Sequence, residues 1–269
     1  MIPELIKHVP HHEIYVEVFG GSAELLFSKY PSPQEVYNDI NGDLVNLFLQ
    51  VRDNLDKLIE RLQWLPHSRE IHEIWVNDFR KGLAPSDPLE RAARFYYILC
   101  TQFAGKLLSG WAHGKLKKYW GPARISKLPA ISKRLEGVTI ECSDFRKIMQ
   151  VWDDERTFFY LDPPYYKTTG YRTGFSEQDH RDLAEILKVL KGKWLLTYND
   201  NELIRELYDD FNIYSMEIQL ASKKIEGGDS RPSFTNLIIK NYDLSDPSQS
   251  LLGNYLYSEI KEGSIEDGR

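Results

Sequence analysis

The stretch Thr157-Phe158-Phe159-Tyr160-Leu161, followed at once by Asp162-Pro163-Pro164-Tyr165, limits what this chain can fold into more than any other. A run of strand length, rich in aromatic residues and bounded by turn chemistry, reads as a buried strand. Each proline fixes its own φ and biases the residue before it toward extended geometry. The strand therefore ends in a rigid corner with exposed carbonyls, held between an acceptor, Asp162, and a flat ring, Tyr165. In open parallel sheets ligands bind off the carboxyl ends of the strands, so a site belongs at this corner. Its chemistry suits a planar exocyclic amine, whose nitrogen is a poor nucleophile because its lone pair is delocalised into the ring. The Asp162 carboxylate and the Pro163 carbonyl would take both N–H groups and stabilise the nitrogen as it gains charge. Tyr165 would stack on the ring face. Taken alone, the four residues also fit a plain strand-to-loop corner in which Asp162 caps a turn.

A chain of 269 residues accommodates one large domain or a domain with a sizeable insertion. No apolar run reaches the length of a membrane span, and Glu4, Lys7 and His8 interrupt the first stretch before it can serve as a signal peptide. Cys100 and Cys142 have neither metal nor redox spacing; they read as reduced, buried thiols, which points to the cytoplasm. The net charge of −6 argues weakly against a nucleic-acid partner, but its distribution argues the other way. From Arg91 to Leu135 ten residues are basic (Arg91, Arg94, Lys106, Lys115, Lys117, Lys118, Arg124, Lys127, Lys133, Arg134) and none is acidic. Such a block is an electrostatic footprint for a polyanion, although a solvated basic face has the same composition.

Ile14 to Phe19 reads as a first strand ending at Gly20-Gly21-Ser22, with Ser22 as N-cap of the helix that follows. Strand, Gly-rich turn and helix open a doubly wound nucleotide-binding unit. The glycines let the backbone approach a ligand, and the helix start offers N–H groups to an anion. The next strand, Glu35-Val36-Tyr37, ends at Asn38-Asp39. Asp39, 19 residues after Gly20, has the spacing of an acid that accepts from ribose hydroxyls. Together these point to a nucleoside-containing cofactor. A long amphipathic helix is expected from Asn41-Gly42-Asp43, with Leu44, Leu47, Phe48, Val51, Leu55 and Leu58 at helical spacing. From about residue 63 to 135 the alternation breaks. Helical patterns over Arg69–Lys81 and Pro88–Phe103 precede a flexible basic loop from Gly105 to Gly121, with aromatics interleaved. Alternation resumes with a strand over Val138–Cys142, ending at Ser143-Asp144-Phe145, and then the Asp162 strand. A polar loop from Lys167 to Gly174 leads to a helix capped by Ser176, with Asp179 in its first turn. Lys193–Tyr198 is a further strand, and Asn212–Leu220 with Phe234–Lys240 form a terminal pair. From Asp243 the chain is polar and acidic and reads as an appendage.

In this order the strand ends resemble the D12 class of DNA adenine-N6 methyltransferases, the group that includes the Dam enzymes. The likeness spans roughly residues 1–242. Its motifs are Tyr15-Val16-Glu17-Val18-Phe19-Gly20-Gly21, Asn38-Asp39-Ile40-Asn41-Gly42-Asp43-Leu44, Tyr160-Leu161-Asp162-Pro163-Pro164-Tyr165, Phe175-Ser176 with His180, and Tyr198-Asn199-Asp200. The resemblance implies an α/β fold: a doubly wound mixed sheet, helices on both faces, a final antiparallel strand and a helical insertion. Residues 1–60 and 136–242 would form the catalytic domain, 61–135 the target-recognition insertion and 243–269 the acidic appendage.

It also implies S-adenosylmethionine as methyl donor, with Phe19, Gly20, Gly21 and Ser22 around its methionine part. Asp39 and Ile40 would lie at the ribose, and Asp144 with Phe145 at its adenine. The implied catalytic set is Asp162, Pro163, Pro164 and Tyr165, with no metal, and Tyr165 is expected to work by its ring face, so that Phe could replace it. Double-stranded DNA is the expected partner of a monomeric enzyme, met by Lys106, Lys115, Lys117, Lys118, Arg124, Tyr171 and Phe175, with the target adenine flipped out. An RNA adenine or cytosine-N4 methyltransferase, and a DNA-binding relative without catalysis, are the competing readings. Two departures stand out: Val18 occupies a position where the family often has Pro, and the chain opens on Met1-Ile2-Pro3-Glu4 instead of a Pro-Gly-Gly-Lys segment. The second predicts a weaker hold on the donor.

Changing Lys115, Lys117 and Lys118 together to Gln is expected to weaken DNA binding across all sequences. It should also flatten the salt dependence by about 0.9 for each phosphate left unneutralised. Titrations at several salt concentrations check this, and an unchanged slope would assign the three lysines to solvent.

Overall fold

The computed structural model describes residues 1–103, 107–112, 120–166, 174–219 and 233–244. Among them are the strands β1 (Ile14–Glu17), β2 (Gln34–Asn38), β3 (Val138–Glu141), β4 (Thr157–Leu161), β5 (Lys193–Asn199), β6 (Asn212–Gln219) and β7 (Ser233–Lys240). They form one mixed sheet in the order β3-β2-β1-β4-β5-β7-β6. β2, β1, β4 and β5 are parallel neighbours, and β7 runs antiparallel between β5 and β6. The α/β class and the antiparallel terminal pair agree with the sequence. From β1 the chain runs outward to β2 and β3 and returns to β4 on the other side of β1, so the order of strands reverses between β1 and β4. Crevices at such a switch point are where doubly wound sheets bind ligands.

The helices among the described residues are α1 (Ile2–Lys7), α2 (Glu24–Ser28), α3 (Gly42–Asp53), α4 (Leu55–Gln63), α5 (Arg69–Arg80), α6 (Pro88–Thr101), α7 (Pro122–Ile125), α8 (Leu128–Leu135), α9 (Phe145–Trp152), α10 (Glu177–Val189) and α11 (Glu202–Leu207). The chain divides into two compact units. The first holds Met1–Asn38 and, from Ser143 onward, the elements α9 to β7. The second holds the described residues of Asp39–Cys142.

In the first unit β4 is buried at all five positions, as a central parallel strand must be. Phe159 and Leu161 join Val16, Val36, Leu196 and Trp194 in a core closed by Ile148 and Met149 of α9, Leu183 and Leu187 of α10 and Ile204 of α11. The capping box read at Ser176 and Asp179 opens α10. In the second unit α3, α4 and α5 pack on α6, whose Phe95, Tyr97 and Ile98 are buried. Two residues of the basic block there find acids: Arg91 pairs with Asp43 at 2.5 Å and Arg94 with Glu90 at 2.8 Å.

Three local expectations need correcting, and one helix, α1, had not been expected either way. The long helix after Asn41 is two helices, because Asn54 leaves helical geometry (φ −134°, ψ 34°) while its N–H still closes α3 on Gln50. Cys142 is exposed, not buried. A short helix, α1, precedes the first strand and carries Pro3 in its first turn, where a missing N–H is harmless. Finally, Ser22 does not cap α2; Ala23 does, in left-handed geometry (φ 56°, ψ 34°) and without a side-chain bond.

The physical reason for the last is that the Ala23 N–H closes a turn on the Gly20 carbonyl at 2.7 Å. The cap's work passes to β1: Glu17 Oε2 accepts from the Leu26 N–H at 3.0 Å and from the Tyr15 hydroxyl at 2.8 Å. Burial pushes the Glu17 carboxyl from the usual 4.5 up to about 8, against those two bonds and the pull of Lys29. A carboxyl whose folded-state value is raised stabilises the fold most when protonated. Its contribution is full below about 4.5 and is lost as pH rises through about 8. Glu17→Gln keeps an acceptor for Leu26 but cannot ionise. Urea unfolding is expected to find the two proteins of similar stability at acidic pH and the variant more stable above pH 8; parallel pH curves would show that Glu17 does not titrate in this window.

Candidate methyltransferase site

The loop after β1 is shaped by the residues of β2. Gly20 donates its N–H to the Asn38 carbonyl at 2.7 Å, and the Tyr37 hydroxyl donates to the Gly21 carbonyl at 2.9 Å. A Cβ on Gly20 would lie 2.1 Å from the Tyr37 ring, so only glycine fits beneath it. Gly21 differs: its φ is +50° and the space where a Cβ would project is open. Asn38, buried, binds the strand ends together. Its Nδ2 donates to the carbonyls of Val18 (2.9 Å) and Ser143 (3.0 Å), and its Oδ1 accepts from the Ser143 N–H (2.9 Å). Phe19, Phe145 and Phe175 stand with ring centroids 5.5 to 5.7 Å apart, an apolar wall beside the loop. Ser22 is exposed.

Asp144 caps α9 through the Arg146 N–H at 2.9 Å, and its carboxylate meets the Arg146 guanidinium at 3.2 Å. That guanidinium also binds Asp179 and Asp182 and lies 4.2 Å over the Phe145 ring. Asp39 directly follows β2. Within the second unit its Oδ1 accepts from the Asn41 N–H at 2.7 Å, an Asx-turn, and the neighbouring Ile40 is exposed.

At the end of β4, Asp162 Oδ1 accepts from the Thr197 hydroxyl at 2.6 Å. Burial raises the Asp162 carboxyl above the usual carboxylate range, opposed by hydrogen bonding from Thr197 and Tyr165. The Tyr165 hydroxyl accepts from Asn236 Nδ2 at 3.0 Å, so it is engaged and not idle as a ring-only role would have it. His180 backs the corner. Its Nδ1 meets the Tyr198 hydroxyl at 2.6 Å, its ring stands edge-on to Phe175 and Tyr166, and burial holds its pKa below that of an ordinary imidazole.

The structure thus brings Phe19, Gly20, Gly21, Phe145 and Phe175 into one neighbourhood of the first unit. Asp162, Pro163, Pro164 and Tyr165, the expected catalytic residues, lie at the end of β4 in the same unit. Arg124 lies on α7 of the second unit, and Lys106, Lys115, Lys117, Lys118 and Tyr171 fall outside the described residues. Sequence reasoning missed Asn38, Thr197 and Asn236 as site residues, although the first stands inside a family motif and the second beside one.

The donor's chemistry fits what is here. Open space in front of a left-handed glycine and an apolar wall of three phenylalanines suit a nucleoside carrying an amino-acid tail. With the mixed sheet and the Asp-Pro-Pro-Tyr corner at the end of its central strand, these features define an S-adenosylmethionine-dependent methyltransferase. More narrowly, the chain belongs to the D12 class of N6 adenine-specific DNA methyltransferases, whose family model matches residues 1–221. It is 30% identical over 267 residues to the type II methyltransferase M1.LlaDCHI of Lactococcus lactis subsp. cremoris, covering 90% of this chain and 89% of that one. It is 28% identical to the type II methyltransferase M.MjaIII of Methanocaldococcus jannaschii (85% and 88% covered). With the retron Ec67 DNA adenine methylase of Escherichia coli it shares 27% identity (88% and 86% covered).

Gly20 and Gly21 should respond differently to alanine. Gly20→Ala forces the buried Tyr37 ring aside, an overpacking cost of about 1–3 kcal/mol, and should lower both stability and donor affinity. Gly21→Ala meets no atom, costs about 1–2 kcal/mol of backbone strain, and should hurt donor affinity by filling the open space. Urea unfolding with calorimetric titration of S-adenosylmethionine checks both; a Gly20→Ala protein with unchanged midpoint would rule out the close-approach argument.

Proposed function

We propose that the chain methylates N6 of an adenine swung out of duplex DNA, at a particular sequence, with Asp162 and the Pro163 carbonyl gripping the amine. The observation that carries this reading is the fixed, half-buried Asp162 carboxylate at the end of the central strand, with Tyr165 beside it. Ionised, a carboxylate offers about four lone-pair sites, so the bond from Thr197 leaves room for an N–H. The bound donor supplies a methyl on a positively charged sulfur. This chain's part is to hold the amine in line, to accept its N–H groups and to stabilise the charge that grows on nitrogen. A carboxyl raised by burial is also a better proton acceptor than an exposed one, so Asp162 suits the proton that the nitrogen sheds after transfer.

Phe19, Gly20, Gly21 and Ser22, with Asp39, Ile40, Asp144 and Phe145, are proposed to hold the donor. Opening the duplex costs a few kcal/mol, offset by stacking on Tyr165 and by the amine contacts. Residues 61–135 are the proposed recognition segment; its Lys106, Lys115, Lys117, Lys118 and Arg124, with Tyr171, are proposed to meet DNA, whereas Phe175, expected there too, packs on Phe19 and Phe145 and belongs with the donor residues. The names of the relatives, type II methyltransferase and DNA adenine methylase, support a sequence-specific action on DNA. No helix among the described residues is long and apolar enough to cross a membrane. We take the enzyme to act as a monomer in the cytoplasm.

Labelled-donor transfer to duplex DNA, single-stranded DNA and RNA, followed by digestion to nucleosides, tests this reading. N6-methyladenine from the duplex is expected; label in RNA or in cytosine would replace the proposal. Asp162→Ala should lower turnover by about two to three decades, the usual effect of removing one preorganised transition-state partner, while DNA binding persists. Near-normal turnover in that variant would remove Asp162 from the chemistry.

A further inference from the structure

We infer that Thr197 is a positioning residue for methyl transfer: its hydroxyl pins the Asp162 carboxylate in the orientation that presents it to the target amine. This inference rests on the role proposed above for Asp162. Thr197 lies on β5, one residue beyond Leu196, which is paired with Leu161, so it stands beside Asp162 where the β4–β5 ladder ends. Its side chain is fully buried. The hydroxyl oxygen lies 2.6 Å from Asp162 Oδ1 and 3.3 Å from the Leu161 carbonyl. One hydroxyl has one proton, and the shorter, charge-assisted contact is the one to the carboxylate.

The geometry makes the contact more than a filled hydrogen bond. The last torsion of an aspartate is broad and roughly twofold, so without Thr197 the carboxylate would depend on the hydroxyl of Tyr165, which stands in the same loop. A bond from a rigid strand fixes that torsion, since a β-branched side chain in a sheet is itself stiff about χ1. Valine would fill the same space with an equal fit to a buried strand, so the hydroxyl is what the position adds. Misplacing a reacting group by about 1 Å can cost a hundredfold in rate, which makes a pinned carboxylate worth keeping.

The hydroxyl also favours the ionised acid. The groups that face Asp162 are Glu17 on β1, Glu24 on α2, Tyr160 on β4, Tyr165 in the corner and Tyr198 on β5. Burial disfavours its charge most and Glu24 adds to that, while Thr197 and Tyr165 support it; Glu17, which keeps its proton, stays neutral beside it. Without the Thr197 hydroxyl the carboxyl would rise higher, and the acid limb of the rate profile, where Asp162 takes a proton and ceases to accept from the amine, would move to higher pH.

The test is Thr197→Val, with Thr197→Ala in case valine fails to fold and Thr197→Ser as the conservative rescue, each as the full chain. Circular dichroism and calorimetric titration of S-adenosylmethionine confirm a folded, donor-binding protein. Single-turnover methylation of duplex DNA is then followed across pH, with Asp162→Ala alongside. At neutral pH the valine variant should be roughly ten- to a hundredfold slower, the effect of one charge-assisted bond, with unchanged donor affinity and an acid limb displaced upward. Serine should restore both. If Asp162→Ala is inactive but Thr197→Val keeps the wild-type rate and acid limb, the positioning role is overturned. A folded serine variant as slow as valine would overturn it too. If Asp162→Ala itself stays active, the fault lies with the proposed role of Asp162.

Discussion

The structure depends on a strand that is forced to stop. β4 pairs with β1 on one side and β5 on the other, buried throughout, until Leu161. Beyond it Pro163 and Pro164 have no N–H to give, so the ladder cannot continue and the sheet opens at its centre. That opening falls where the order of strands reverses, between β1 and β4. The loop after β1 and the acid at the end of β4 therefore leave the sheet at the same end of two neighbouring parallel strands. Everything else near the site holds the edges of this opening in place: Asn38 ties the ends of β1 and β2 to Ser143, Thr197 holds Asp162, and Asn236 holds Tyr165.

Buried charge in the first unit is handled in three ways, and the contrast separates scaffold from site. Lys29 and Glu35 are paired at 2.5 Å; the ammonium also bonds to Ser32 and the Tyr30 carbonyl and lies 4.2 Å over the Tyr15 ring. Such a pair adds little net stability but is damaging to break. Glu17, hydrogen-bonded by Tyr15 and Leu26 and drawn by Lys29 at longer range, answers burial by keeping a proton. The half-buried Asp162 loses solvent around its carboxylate and yet is supplied with donors that favour its charge, a balance that suits the role proposed for it.

Much of the fold was legible in the sequence because the strands are short apolar runs, and Gly20, Asp39, Asp144 and Asp162 each stand where one ends. The break at Asn54 was not, since Val51 and Leu58, seven residues apart, keep to the buried side of their two helices as they would on one. Ser22 misled for a different reason. Local rules favour a serine cap, but a turn closed by Ala23 and a carboxyl from the preceding strand did the same work from outside the local window. Thr197 and Asn236 were illegible because their partners lie 35 and 71 residues away. A threonine or asparagine in a strand otherwise reads only as a matter of propensity.

The contact between Gly20 and Tyr37 bears on how such a chain can drift. Gly20 in the loop after β1 and Tyr37 on the second strand are 17 positions apart, yet the tyrosine ring occupies the volume where a Cβ at position 20 would stand. Neither residue can change size alone. A larger residue at position 20 becomes tolerable only after position 37 has shrunk, and a shrunken position 37 leaves the Gly21 carbonyl without its hydroxyl donor. The two positions are therefore expected to vary as a pair among descendants of this sequence, with glycine and a large ring at one extreme and two mid-sized side chains at the other.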